Sequence, residues 1–82
     1  MVSTHEEISS EFSRIVHEIA GVPLDDIQPG KNLVHDLELD SLSMVEIMVA
    51  AEETFGVKIP DEELHRLPTV ELVTAYIERE QA

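Results

Sequence analysis

Read for the spacing of its apolar positions, the chain divides into three helical runs joined by two irregular stretches. Ile8, Phe12, Ile15, Val16 and Ile19 recur at i, i+4, i+7, i+8 and i+11, one face of an amphipathic helix. Thr4 and Glu7 stand at capping-box spacing, and Gly21 and Pro23 close the run, so a first helix is expected over residues 4–20. Near the other end Thr69 is a good cap for a run in which Val70, Val73, Tyr76 and Ile77 fall at i, i+3, i+6 and i+7. Residues 78–82 are expected to fray.

The middle run behaves differently. Asp40 is a good N-cap residue and Gly56 a good stop, which predicts a helix from Ser41 or Leu42 to Phe55. Winding it at ~100° per residue separates two apolar stripes. Met44, Ile47, Met48, Ala51 and Phe55 form a broad face suited to a core, whereas Leu42, Val45 and Val49 lie largely on the other side. Glu46 and Glu53 flank the second stripe, with Glu52 at its far edge. A helix docks on its own domain through one stripe. The second is spare, and spare apolar surface rimmed by carboxylates points to a partner.

Between the helices, residues 21–40 make a long connection containing Pro23, Pro29 and Gly30. Val22, Leu24, Ile27, Leu33 and Leu37 are expected to pin it across the helices, with a short turn at 24–27 and residues 33–37 plugging one end of the bundle. After Gly56, an extended link through Val57, Ile59 and Pro60 leads to a brief helix capped by Asp61, reaching Arg66 and stopped by Pro68. The expected fold is all-α: a small four-helix bundle, three main helices and one short one, with a long structured first loop. No repeat or internal boundary divides residues 1–82, which are read as one domain.

Composition narrows the function. Five basic against 18 acidic residues give a formal charge of −13, which argues against nucleic acid or an anionic membrane and for partners with basic patches. The absence of cysteine excludes a disulfide, a thiolate metal site and a protein-borne thiol nucleophile. No apolar run has transmembrane length and no signal peptide is visible, so a cytoplasmic location is expected.

Catalysis and metal binding find little support. His5, His17, His35 and His65 are scattered, and none is paired by motif with a serine and a carboxylate, although folding could bring His35 toward Ser41. Asp36, Glu38 and Asp40 imitate positions 1, 3 and 5 of a calcium loop, but Ser41 stands where its glycine belongs and Ile47 where its bidentate glutamate belongs. No catalytic residue and no dedicated metal site is expected. An acidic helical adaptor without a prosthetic group would explain the charge and the spare stripe. It gives no reason for the serine at the head of the helix.

The run from Asp36 to Leu64, DLELDSLSMVEIMVAAEETFGVKIPDEEL, closely resembles the acyl carrier protein family, above all the free-standing carriers of bacterial fatty-acid synthesis. The matching features are Asp40-Ser41-Leu42 with its acidic approach, Val45-Glu46, the Glu52-Glu53 pair and Ile59-Pro60-Asp61-Glu62. Ser-Met after Leu42 and the Gly-Val-Lys-Ile-Pro turn look most like actinobacterial carriers. The resemblance implies that Ser41 carries 4′-phosphopantetheine, placed by a phosphopantetheinyl transferase that reads Asp40 and Leu42. It implies partner contacts at Asp36, Glu38, Leu42, Val45, Glu46, Val49, Glu52 and Glu53, meeting acyltransferases, ketosynthases and other acyl-processing enzymes. For such a carrier the core face has a second use: Val45, Met48, Ala51, Ile59 and Tyr76 are expected to part and admit an acyl chain between helices, since methionine and alanine repack readily, and the protein is expected to be a monomer. Ser43 stands where many fatty-acid carriers have an acidic residue. A type II polyketide or other specialised acyl pathway is the second reading.

Overall fold

The computed structural model describes residues 4–64 and 66–81, the side chains of Asp61 and Leu64 excepted. His65 and the cap expected of the Asp61 side chain lie outside the described residues. Among the described residues four α-helices follow one another: α1 (His5–Ala20), α2 (Ser41–Phe55), α3 (Asp61–Leu64) and α4 (Val70–Gln81), with a 3₁₀ turn at Leu24–Asp26.

α1 begins where its capping box places it. The Glu7 amide donates to Thr4 Oγ1 at 3.1 Å and the Thr4 amide returns to Glu7 Oε1 at 2.9 Å. The Thr4 backbone amide, reinforced by the Thr4 side chain, holds the Glu7 carboxyl below its usual range. Gly21, in the left-handed region at φ 73°, ends the helix by donating to the His17 carbonyl. Ile8, Phe12, Ile15 and Val16 are buried and Ile19 packs at the margin, as the stripe predicts. α1 is the element against which both α2 and α4 pack. Phe12 is wholly enclosed, and burial of such a side chain contributes about 1.5–3 kcal/mol.

The long first connection is held by Asn32. Its Oδ1 accepts the amides of Val34 and His35 at 3.0 and 2.9 Å, while its own amide donates to Asp36 Oδ2 at 2.7 Å. Its backbone forms an isolated antiparallel bridge with Thr69, flanked by Leu33 N–H to Pro68 O at 2.8 Å and Val70 N–H to Lys31 O at 3.1 Å. Backbone groups that a loop would otherwise leave to water are thereby paired. Ile27, Leu33, Leu37 and Leu39 plug the core from this side.

Three expectations are corrected. Leu24 does not pin the loop: the turn closes through Ile27 N–H to Leu24 O, which buries Ile27 and leaves Leu24 outside. Arg66, which α3 was expected to reach, lies in a turn beyond the described helix Asp61–Leu64: its amide turns back three residues, to Glu63 O. α4 remains helical to Gln81, since Gln81 Nε2 donates to Phe55 O at 3.1 Å and His5 meets Glu78 at 3.1 Å.

The link between α2 and α3 is a strap rather than a loose loop. Val57 and Ile59 are buried. The Ile59 amide donates to Glu52 Oε2 on α2 at 2.6 Å, and Tyr76 on α4 donates its hydroxyl to the Lys58 carbonyl at 3.2 Å. Thr74, the buried polar residue of the core, satisfies its hydroxyl on the Val70 and Glu71 carbonyls.

Candidate functional site

Asp40 is extended, at φ −88° and ψ 176°, and α2 starts at the next residue. Its Oδ1 accepts the Ser43 amide at 2.8 Å, and its carbonyl accepts the Met44 amide at 3.0 Å. The Ser43 backbone bond, reinforced by the Ser43 side chain, holds the Asp40 carboxyl below its usual range. A charged cap at the positive end of the helix is the favourable arrangement.

Ser41 is thus the first residue of a 15-residue helix, exposed, and its hydroxyl has no hydrogen-bond partner among the described residues. The capping role falls to Asp40 and leaves the serine hydroxyl free. His35, the one candidate base raised by the sequence, makes its described hydrogen bond through its backbone amide to Asn32. Nothing pairs it with Ser41.

α2 keeps two apolar stripes apart. Ile47, Met48, Ala51 and Phe55 are buried and Met44 packs against them. Leu42, Val45 and Val49 remain 68%, 50% and 48% exposed, the continuous apolar surface that starts beside Ser41. Glu46 and Glu53 are exposed, as are Asp36 and Glu38 on the approach to the helix. Glu38 occupies the left-handed region at φ 56° and is the one described non-glycine residue to do so.

Glu52 is only half exposed, being bonded to Ile59. Together with Val49, Glu53, Gly56, Val57 and Lys58 it lines an open groove of about 450 Å³. Its structural bond was not legible from spacing, since the two residues are seven apart and on different elements. Of the residues expected at an acyl cleft, Met48, Ala51 and Ile59 are buried in the core and Tyr76 lies at its edge. Val45 lies on the exposed stripe instead.

A family model described as a phosphopantetheine attachment site matches residues 10–77, a span that holds α2 and nearly all of the core. The chain is 51% identical over 77 residues to an acyl carrier protein of Acidothermus cellulolyticus, covering 94% of this chain and 92% of that one. The chain belongs to the acyl carrier protein family. A Thermobifida fusca acyl carrier protein is 49% identical over 96% of this chain and 100% of its own length. A meromycolate extension acyl carrier protein of Mycolicibacterium smegmatis is 48% identical over 96% of this chain and 80% of its own. A solved acyl carrier protein from Enterococcus faecalis superposes with a TM-score of 0.80 at 28% identity, covering 95% and 99% of the two chains. This carrier is a phosphopantetheine-bearing domain, not a catalyst. Among the described residues no helix is long and apolar enough to cross a membrane.

Proposed function

We propose that this carrier holds its prosthetic group on Ser41 and serves a cytoplasmic fatty-acid pathway as a monomer, handing acyl intermediates between enzymes with basic docking patches. The observation that carries the reading is the free, exposed Ser41 hydroxyl at the head of α2, with the Leu42–Val45–Val49 surface beginning at the next residue. The site suits a phosphate ester: the serine is unencumbered, and the helix N-terminus favours the added negative charge. Once attached, 4′-phosphopantetheine supplies the thiol that bears acyl groups as thioesters.

The chain's own residues position and present. Asp40 fixes the helix start, so Ser41 stands at a defined place, and Asp40 and Leu42 are the immediate features a transferase would meet. Glu46, Glu52 and Glu53, extended by Asp36 and Glu38, surround the exposed apolar stripe with negative charge. Such a surface raises association rates more than it deepens affinity, which suits successive brief encounters. A specialised pathway is the second reading, favoured by Ser43 in place of an acidic residue and by the likeness to meromycolate extension carriers.

The deciding experiment is the intact mass after incubation with coenzyme A, Mg²⁺ and a broad-specificity phosphopantetheinyl transferase. One phosphopantetheine is expected on the wild type and none on Ser41→Ala. A folded wild-type protein that gains nothing, or a Ser41→Ala protein that is still modified, overturns the assignment.

A further inference from the structure

α4, like α2, has an apolar position to spare. Its core stripe is Val70, Val73, Thr74 and Ile77, all buried. Leu72, Ala75 and Arg79 fall at i, i+3 and i+7 on another side, and Leu72 is 43% exposed. With buried Leu67, from the link that leads into α4, they line an open groove of about 650 Å³. None of its lining residues belongs to α2.

Two arginines, Arg66 and Arg79, line this groove. They are two of the five basic residues in a chain with 18 acidic ones, yet neither makes a described ion pair, whereas Arg14 on α1 makes two. Arg79 is steadied over the Tyr76 ring, 5.8 Å from its centroid, and Tyr76 is itself fixed by its hydroxyl on the Lys58 carbonyl. A guanidinium held by its face keeps its N–H edge for a planar carboxylate. Glu63 and Glu78 also line the groove, but the Glu78 carboxylate meets the His5 ring at 3.1 Å.

We propose that this groove docks a segment of a partner protein: an amphipathic helix that lays leucine-like side chains on Leu67, Leu72 and Ala75 and sets carboxylates on Arg66 and Arg79. The chemistry is the reverse of the α2 face, whose exposed apolar stripe is edged by carboxylates. A fatty acid or an anionic membrane fits less well. The groove is open, so an acyl tail would stay half in water, and a formal charge of −13 repels a surface of like sign. The same repulsion opposes a second copy of this chain. A partner held here leaves Ser41 and the α2 stripe open, so the protein can be tethered while another protein docks on α2. The binding needs no prosthetic group and stands apart from the carrier reading.

The probe is a helical peptide with two leucines one turn apart, a glutamate beside each, and lysines on its far face to keep it neutral. A second peptide exchanges its glutamates and lysines. Each is titrated into the isotope-labelled, unloaded chain and followed by NMR. The first peptide is expected to shift the amides of Arg66, Leu67, Leu72, Ala75 and Arg79, and not those of α2. Its affinity should fall about tenfold in Leu72→Ser and in the Arg66→Ala, Arg79→Ala double variant, and stay unchanged in Leu42→Ser. Arg66→Glu with Arg79→Glu should turn the preference to the second peptide. Circular dichroism confirms that each variant is folded.

No groove shifts at millimolar peptide overturns the proposal, as does equal binding of the two peptides to the wild type. Groove shifts that grow with the concentration of the chain alone, matched by sedimentation, assign the groove to a second copy instead. Octanoate or phosphatidylglycerol vesicles that bind there more tightly than the first peptide assign it to an amphiphile or a membrane. Either result overturns a protein partner.

Discussion

The Asp40 carboxylate accepts the Ser43 amide at 2.8 Å across Ser41, so the residue before the serine holds the start of the helix on which that serine stands. Asp40→Ala is expected to lower the melting temperature, whereas Asp40→Asn, which keeps an acceptor, retains most of it. The Asp40 carboxyl is depressed in the folded chain. Its contribution is therefore present above the ordinary carboxylate range and lost as pH falls through the folded value. The gap in melting temperature between wild type and Asp40→Ala should be full at pH 7 and close on acidification below the ordinary aspartate range. A gap independent of pH would refute the charged cap.

Glu38 sits two residues upstream of that cap at φ 56°. A side chain in the left-handed region costs about 1–2 kcal/mol, from which the greater entropy of an unfolded glycine must be subtracted. Glu38→Gly is expected to stabilise the fold by up to about 1 kcal/mol, measured by denaturant unfolding. Glu38→Val, β-branched at the same φ, should destabilise it.

The 18 acidic residues find few opposite charges. The described ion pairs are Arg14–Glu11 and Arg14–Glu18, both exposed, and the His5 ring meets the Glu78 carboxylate at 3.1 Å. Repulsion among the rest opposes the compact state and is screened over a Debye length of about 10 Å at 0.1 M salt. Raising NaCl from low to moderate concentration, or adding Mg²⁺, is expected to raise the melting temperature. A flat or falling response would contradict this.

The same charges should govern encounter. Glu46→Lys and Glu53→Lys change exposed residues. Each is expected to lower the transferase's kcat/KM by several-fold at low ionic strength, through KM, with the difference shrinking as salt is added. Unchanged circular dichroism spectra would show that the effect is on docking. Salt-independent losses would point to a structural cause.

How much of this was legible beforehand follows from the range of each interaction. The α1 stripe, the capping box and the two faces of α2 are set by residues three to eight apart, and periodicity reads such spacing. The end of α4 was misread because Gln81 is tied to Phe55, 26 residues away. The ordering of the first connection turns on the Asn32 hub and its bridge to Thr69, which no local pattern announces. Leu39 gives no stripe to follow, yet it is buried beside Leu33 and Leu37. At the site, the exposed stripe and the Asp40 cap were read from spacing, whereas the Glu52–Ile59 bond depends on where the strap returns over α2.

The strap also bears on what happens when cargo is attached. Met48, Ala51 and Ile59 are buried, and Tyr76 closes the edge by its bond to Lys58. Partial burial pushes the Tyr76 phenol up, as do Glu80 and Glu63 nearby, so its hydroxyl stays protonated and able to donate through neutral and mildly alkaline pH. Methionine and alanine allow repacking more readily than interlocked aromatics. An acyl chain admitted between α2 and α4 would bury its methylenes, each worth about 0.8 kcal/mol when fully removed from water, against the cost of parting the strap. The melting temperature is therefore expected to rise on octanoyl loading, and to rise less in Ala51→Phe, where the added ring fills the space. If loading leaves the melting temperature unchanged in a wild-type chain whose mass shows full acylation, the chain does not enter the core. Delivery would then need no opening of the strap.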